Sequence, residues 1–176
     1  MECAPKLPDS ARRVADLLRR IGHQQPVVVL PTTGRTSAEA AAGLGCSVGE
    51  IAKSIVFRRL ADDVAVMVIA SGAQRVDEHK VAALVGPLGK ADARFVRDHT
   101  GYAIGGVCPI GHLRQAIVLV DQELLRFASI WAAAGHPHAV FQLTPHELVD
   151  MTAGQVADVA LRAPETSPAG PPDRAG

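Results

Sequence analysis

Near the N-terminus, apolar residues fall at helical spacing. Val14, Leu17, Leu18 and Ile21 follow the i, i+3, i+4, i+7 rule and share one face. This predicts a helix over residues 9–22, capped by Asp9 or Ser10 and ended by Gly22. Arg12, Arg13, Arg19 and Arg20 fall mostly on its other faces, as a solvated surface or one that meets phosphates. Residues 27–30 are a short apolar strand closed by Pro31. Thr36-x-x-Glu39 has the form of a capping box opening an Ala-rich turn to Leu44, and Ser47-x-x-Glu50 of a second box before a short helix.

The strongest strand signal lies at 53–59 and 64–71, both β-branched and apolar, with Ala61, Asp62 and Asp63 in the polar link. Short helices are expected over 77–85, stopped by Gly86-Pro87, and over 92–99, ending near Gly101. Residues 104–113 form a Gly/Pro loop. Strands follow at 117–121, 130–134 and 139–143. Thr144-Pro145-x-Glu147 opens a helix to about Thr152, and 155–161 is a last strand. Strands outnumber helices without a regular βαβ rhythm. The pattern predicts one α+β domain over residues 1–163, with a mixed sheet able to curl toward a barrel. From Pro164 the chain is Pro/Gly-rich and polar, a disordered tail over 164–176.

Composition narrows the function. At 176 residues and 18.4 kDa the chain has the size of one domain. Only 3% of residues are aromatic, so aliphatic side chains and Ala fill the core, and a multi-aromatic platform for single strands is excluded. The formal net charge is zero, which argues against nucleic-acid binding by bulk charge but leaves room for a local basic groove. Residues 51–100 carry net +2 and residues 101–176 net −3. Cys3, Cys46 and Cys108 are odd in number and far apart, with no CxxC, so neither a disulfide framework nor a zinc knuckle is indicated. No stretch has signal-peptide or membrane-spanning form, so a reduced cytoplasm is the expected location and no membrane partner is expected.

Several residues carry candidate chemistry. Lys53 stands where a capped turn meets a very apolar strand. It is either a snorkelling lysine or a cation at a pocket rim, aimed at a phosphate or carbonyl. Gly105, Gly106 and Gly111 with Pro109 give a turn-rich segment with little side-chain cover. It is either a plain turn or a loop whose main chain touches a ligand. Cys108 and His112 could pair as thiol and imidazole, but Pro109 and Gly111 between them argue against one helical face and favour Cys108 as a small filler and His112 as a structural hydrogen-bonder. His136-x-His138, with His146 nearby, is a weak metal pattern without cysteine support. There is no Walker motif, no G-x-S-x-G and no H-E-x-x-H.

Taken together, these residues resemble the YbaK/EbsC family, the editing domain also found in prolyl-tRNA synthetases. The likeness runs from about residue 32 to 160. It includes I-A-K-S-I-V-F around Lys53, S-G-A-Q-R-V-D at 71–77, T-G-Y-A-I-G-G-V-C-P-I-G-H at 100–112, and I-W-A-A-A-G-H-P at 130–137. The resemblance implies a mixed, barrel-like sheet surrounded by helices. It implies an aminoacyl-tRNA deacylase that works without a cofactor or metal on the ester at the 3′ CCA end of a mischarged tRNA, most naturally tRNA(Pro). It makes Lys53 the essential lysine and Gly105 and Gly106 the backbone-contacting glycines. Pro109, Gly111, His112, Ala133, Ala134 and Gly135 become substrate-binding positions. Ala132-Ala133-Ala134-Gly135 is more apolar than the Ser-Gly-Gly-like wall of some relatives, which suits a small aliphatic cargo. Prolyl-tRNA synthetase is an implied partner. The alternatives are a non-catalytic tRNA- or synthetase-binding module, and a different hydrolase using Cys108 and His112.

Overall fold

The computed structural model describes residues 6–31 and 35–162. The expected tail at 164–176 lies outside the described residues. In chain order the elements are α1 (Asp9–Arg20), β1 (Val27–Val29), α2 (Ser37–Leu44), β2 (Ile51–Arg59), β3 (Ala65–Ser71), β4 (Arg75–Val76), α3 (Glu78–Val85) and β5 (Leu88–Lys90). They continue with α4 (Ala93–Thr100), β6 (Ile117–Asp121), β7 (Ile130–His136), β8 (Ala139–Leu143), α5 (Pro145–Thr152), β9 (Gln155–Ala157) and β10 (Ala160–Leu161).

β2 and β3 form an antiparallel hairpin from Ala52↔Ser71 to Arg58↔Ala65. The main sheet extends from this hairpin in the order β1-β8-β7-β2-β3-β6-β9, and β5 shares the outer edge of β2 with β7. The β2–β7, β3–β6 and β6–β9 pairs are parallel and the others antiparallel, so the sheet is mixed. The architecture is the α+β arrangement that the pattern predicts.

β3 is buried along its whole length because the sheet is covered on both faces. Met67 and Ile69 join one core with Val14 and Leu18 of α1, Val96 of α4 and Leu148 of α5. Val66 and Val68 face a second core with Val81 of α3, Leu119 and Val159. Each such side chain contributes roughly 1.5–3 kcal/mol on burial. A third, smaller cluster joins Leu30, Ala40 and Ala41, Ile51 and Val140, and fastens α2 over one end of the sheet.

Local chemistry explains most boundaries. Thr36 with Glu39 and Thr144 with Glu147 form complete reciprocal capping boxes. Ser47 and Glu50 do not. Their side chains bond each other at 3.1 Å beside a single 3-10 turn over Val48–Glu50, because β2 begins at Ile51 and leaves no helix to cap. Helix α1 starts after Pro8 with no side-chain cap, since Asp9 is engaged by Arg12 at 2.6 Å. The expected strand at 155–161 is two strands in two sheets. β9 pairs β6, and then Val159 turns into the second core, its carbonyl accepting from Asp77 N at 2.8 Å, so that β10 can pair β4. The short β4 and β5 were not expected, because two or three residues carry no period. Among the described residues no helix is long and apolar enough to cross a membrane.

Candidate active site

Strand alternation decides what Lys53 can reach. Along β2, Ala52 and Val56 point to the first core, whereas Ile51, Lys53 and Ile55 point to the other face. Along β7, Ile130, Ala132 and Ala134 enter the first core, and Trp131 and Ala133 take the opposite face. The register Ile51↔Trp131 sets these two faces side by side. Above them lies a cavity of about 350 Å³. Its floor is Ile51, Lys53, Ile55, Trp131 and Ala133. One wall is the start of α2, with Arg35, Thr36, Ser37 and Ala40, and the other is the loop bearing Ile104, Gly105 and Val107.

Lys53 is half-buried, and its ammonium donates to the main-chain carbonyl of Gln74. Burial lowers its pKa, and the neighbouring guanidinium of Arg75 lowers it further. Gly105 has φ +92°, a conformation that side chains rarely adopt, and this exposes main chain to the cavity. Gly106 serves the packing instead: a β-carbon there would sit 2.8 Å from the main chain of His136.

The cavity therefore brings together Lys53, Gly105 and Ala133 from three separate segments. Ala134 is wholly buried in the core behind Ala133. Gly135 packs under α1, where a β-carbon would meet Ser10 O at 2.9 Å. Pro109, Gly111 and His112 lie in a different hollow, beside Met151 and Thr152. The His112 Nε2 sits 2.8 Å from the carbonyl oxygen of Cys108, so the imidazole serves the main chain rather than the thiol. Cys108 is completely buried, and burial pushes its thiol up to about 12. His136 and His138 bond through a main-chain N–H at 3.1 Å. Among the described residues no three His, Cys, Asp or Glu side chains gather at a metal-binding distance.

Arg35, Ser37, Ile104 and Trp131 line the cavity and were missed as site residues. Only Trp131 had a signal, its place beside the alanine run. The others reach the site through the fold. Among the described residues that line it there is no histidine, cysteine or carboxylate. The cavity can hold and polarise a group by charge and main-chain dipoles, but none of its side chains is an ordinary general base.

The aminoacyl-tRNA editing domain model matches residues 32–151, more than half of the chain. The chain belongs to the aminoacyl-tRNA editing domain family. It is 32% identical over 134 residues to the uncharacterised protein YwhH of Bacillus subtilis (strain 168), covering 76% of this chain and 85% of the relative. It is 31% identical over 130 residues to EbsC of Enterococcus faecalis (strain ATCC 700802 / V583), a candidate Cys-tRNA(Pro)/Cys-tRNA(Cys) deacylase. That match covers 72% of this chain and 78% of the relative. A crystal structure of a candidate trans-editing enzyme for prolyl-tRNA synthetase superposes with a TM-score of 0.84 at 43% identity, covering 89% of this chain and all of that one. The fold around the cavity is thus a family scaffold for aminoacyl-tRNA editing.

Proposed function

We propose that the chain is a freestanding, cytoplasmic deacylase that removes a small amino acid from the 3′ end of a mischarged tRNA, with tRNA(Pro) as its main target. The observation that carries this reading is the make-up of the cavity: a held ammonium, the open main chain of Gly105, and no histidine, cysteine or carboxylate among the described lining residues. An aminoacyl ester is already activated, so its hydrolysis needs placement and charge more than a protein nucleophile. Water adds to the ester carbonyl, the bond from that carbon to the ribose oxygen breaks, and the water proton passes to the departing oxygen through the adjacent ribose hydroxyl. Lys53 orients the terminal phosphate and ester by charge. The main chain at Gly105, backed by Gly106, positions the terminal nucleotide.

Ala133 supplies the wall against the amino acid, with Ala134 and Gly135 fixing its strand from behind. Pro109, Gly111 and His112 act at one remove, by holding the loop that carries Gly105. The relatives' names support proline's tRNA, and prolyl-tRNA synthetase is the enzyme whose errors such an activity would correct. Incubating the protein with alanyl-, seryl-, cysteinyl- and prolyl-tRNA(Pro) tests this. Release of a small amino acid with prolyl-tRNA spared is expected. Binding of all four without hydrolysis of any would leave a binding module in place of an enzyme.

A further inference from the structure

Lys53 lies close to a second cation. Its ammonium rests on the carbonyl of Gln74, and the next residue in the chain is Arg75. Arg75 is exposed at the start of β4, close enough to Lys53 for its guanidinium to act on the ammonium, and is not among the residues that line the cavity. Among the described residues no carboxylate forms an ion pair with Lys53, Arg75 or the cavity's Arg35. Asp77, the acidic residue nearest to Arg75 in sequence, caps α3, accepting from the N–H groups of His79 and Lys80. Arg58, Arg59 and Lys80 each hold an aspartate, whereas Arg13, Arg20, Lys90, Arg97 and Arg114 pair with no carboxylate among the described residues, so it is the closeness of Lys53 and Arg75, rather than the lack of a partner, that sets this pair apart.

Lys53 sits partly buried beside the like charge of Arg75, and its pKa is lowered first by that burial and then by Arg75. Such a pair is relieved by anions, and successive phosphates of one strand would give each cation its own. Arginine suits a phosphate because its planar fork can donate two parallel bonds. The cavity, at the small end of the ~300–1,000 Å³ range of ligand sites, has room for a terminal group and not for a strand. The nucleotides that precede the terminal one must therefore run across the rim.

We propose that Arg75 is a phosphate-binding residue, gripping the backbone phosphate one step before the one met by Lys53 and so setting the direction in which a 3′ strand enters the cavity. This rests on the proposed editing function for the identity of the strand, but Arg75 itself takes no part in the reaction, so its contact can be read with uncharged tRNA. The site takes single-stranded nucleic-acid backbone and reads no base.

The test compares wild type with Arg75→Gln, Arg75→Lys and Arg94→Gln at a series of salt concentrations. Two quantities are read: kcat/KM on alanyl-tRNA(Pro), and Kd for uncharged tRNA(Pro), which needs no catalysis. Arg75→Gln is expected to lower both affinity and kcat/KM about tenfold at low salt. It should also flatten the dependence of log Kd on log salt by about 0.7, the value for one lost single-strand phosphate contact. Saturating kcat should change by less than the affinity does. Arg75→Lys should recover most of the slope. Arg94→Gln, which removes a charge from a different hollow, should leave the slope nearly unchanged.

A wild-type slope in Arg75→Gln overturns the proposal, as does an equal fall at every salt concentration, which marks a structural defect. An Arg94→Gln effect as large as that of Arg75→Gln also overturns it, because total charge would then be responsible. If wild type deacylates nothing yet Arg75→Gln flattens the binding slope, the phosphate site stands and the editing function falls.

Discussion

A β-carbon on Gly106 would stand 2.8 Å from the Cα and carbonyl carbon of His136. The loop carrying Gly105 therefore lies directly on the end of β7, with backbone against backbone. No side-chain rotation can relieve the contact. Gly106→Ala must push the loop away from the strand, at a cost of roughly 1–3 kcal/mol, as in other overpacked sites. A lower melting temperature together with weaker tRNA deacylation is the expected result. Unchanged melting would mean that the loop is free to shift.

Lys53→Ala removes the ammonium of the cavity while leaving β2 paired on both sides. A charge aimed at the reacting ester is worth on the order of 2–4 kcal/mol in the transition state, or a fall of about 30- to 1,000-fold in single-turnover rate. The circular dichroism spectrum should be unchanged. A mutant deacylating at near wild-type rate would remove Lys53 from the mechanism.

The same lysine gives a pH signature. Its folded pKa lies below the free value, because burial and Arg75 disfavour the charged form. Between the folded and unfolded values the unfolded chain binds more protons, so this group's contribution to stability improves as pH rises. Activity moves the other way, since it requires the ammonium. The enzyme-dependent rate, after subtraction of spontaneous hydrolysis, should fall on the alkaline side before pH 10.5, the free lysine value. An alkaline limb absent in Lys53→Arg, whose charge persists, would assign it to this residue. A limb that survives in Lys53→Arg would assign it elsewhere.

Much of this architecture is legible in sequence, for identifiable reasons. Residues 117–121 and 139–143 are the observed β6 and β8, because short apolar runs bounded by polar turns leave few alternatives. Thr144, Pro145 and Glu147 mark the start of α5 by local chemistry alone. The cavity is harder to read, because it is assembled from residues far apart in the chain. Lys53, Gly105 and Ala133 meet only after β2 and β7 pair in parallel, a contact of two residue pairs with no local signature. His112 is easier to read. Pro109 and Gly111 speak against a thiol–imidazole pair and for a structural hydrogen bond, and the ring does meet the Cys108 carbonyl rather than the thiol.

Cys108 offers a clean contrast with Lys53. Its thiol is wholly buried and pushed up to about 12, so it is neutral at physiological pH and unavailable as a nucleophile. Cys108→Ala should keep most activity and lose no more than a modest amount of stability from the smaller side chain. Iodoacetamide should leave the native protein unmodified at this position by mass spectrometry. Loss of all activity in a folded Cys108→Ala protein would revive the thiol-hydrolase reading.

The neighbouring alanines of β7 separate selectivity from packing. Ala133 is part-exposed on the cavity side, and Ala134, one residue on, is wholly buried in the core. Leucine at 133 projects into open volume, so the domain should stay folded while the room for the amino acid shrinks. Leucine at 134 has nowhere to go and should cost roughly 1–3 kcal/mol of stability. The two variants are isomeric in composition and should fail differently. Ala133→Leu should lose activity on alanyl-tRNA(Pro) and cysteinyl-tRNA(Pro) at unchanged melting temperature, and Ala134→Leu should melt lower. The wild-type pocket should discriminate poorly between alanine and similar-sized residues bearing a hydroxyl or thiol, since in an apolar pocket each added group is worth only ~1–3 kcal/mol. Proline, with its ring and fixed φ, should be refused by shape. The size sieve is wrong if wild type cleaves prolyl-tRNA(Pro) as fast as alanyl-tRNA(Pro), or if Ala133→Leu retains the wild-type rate on every substrate.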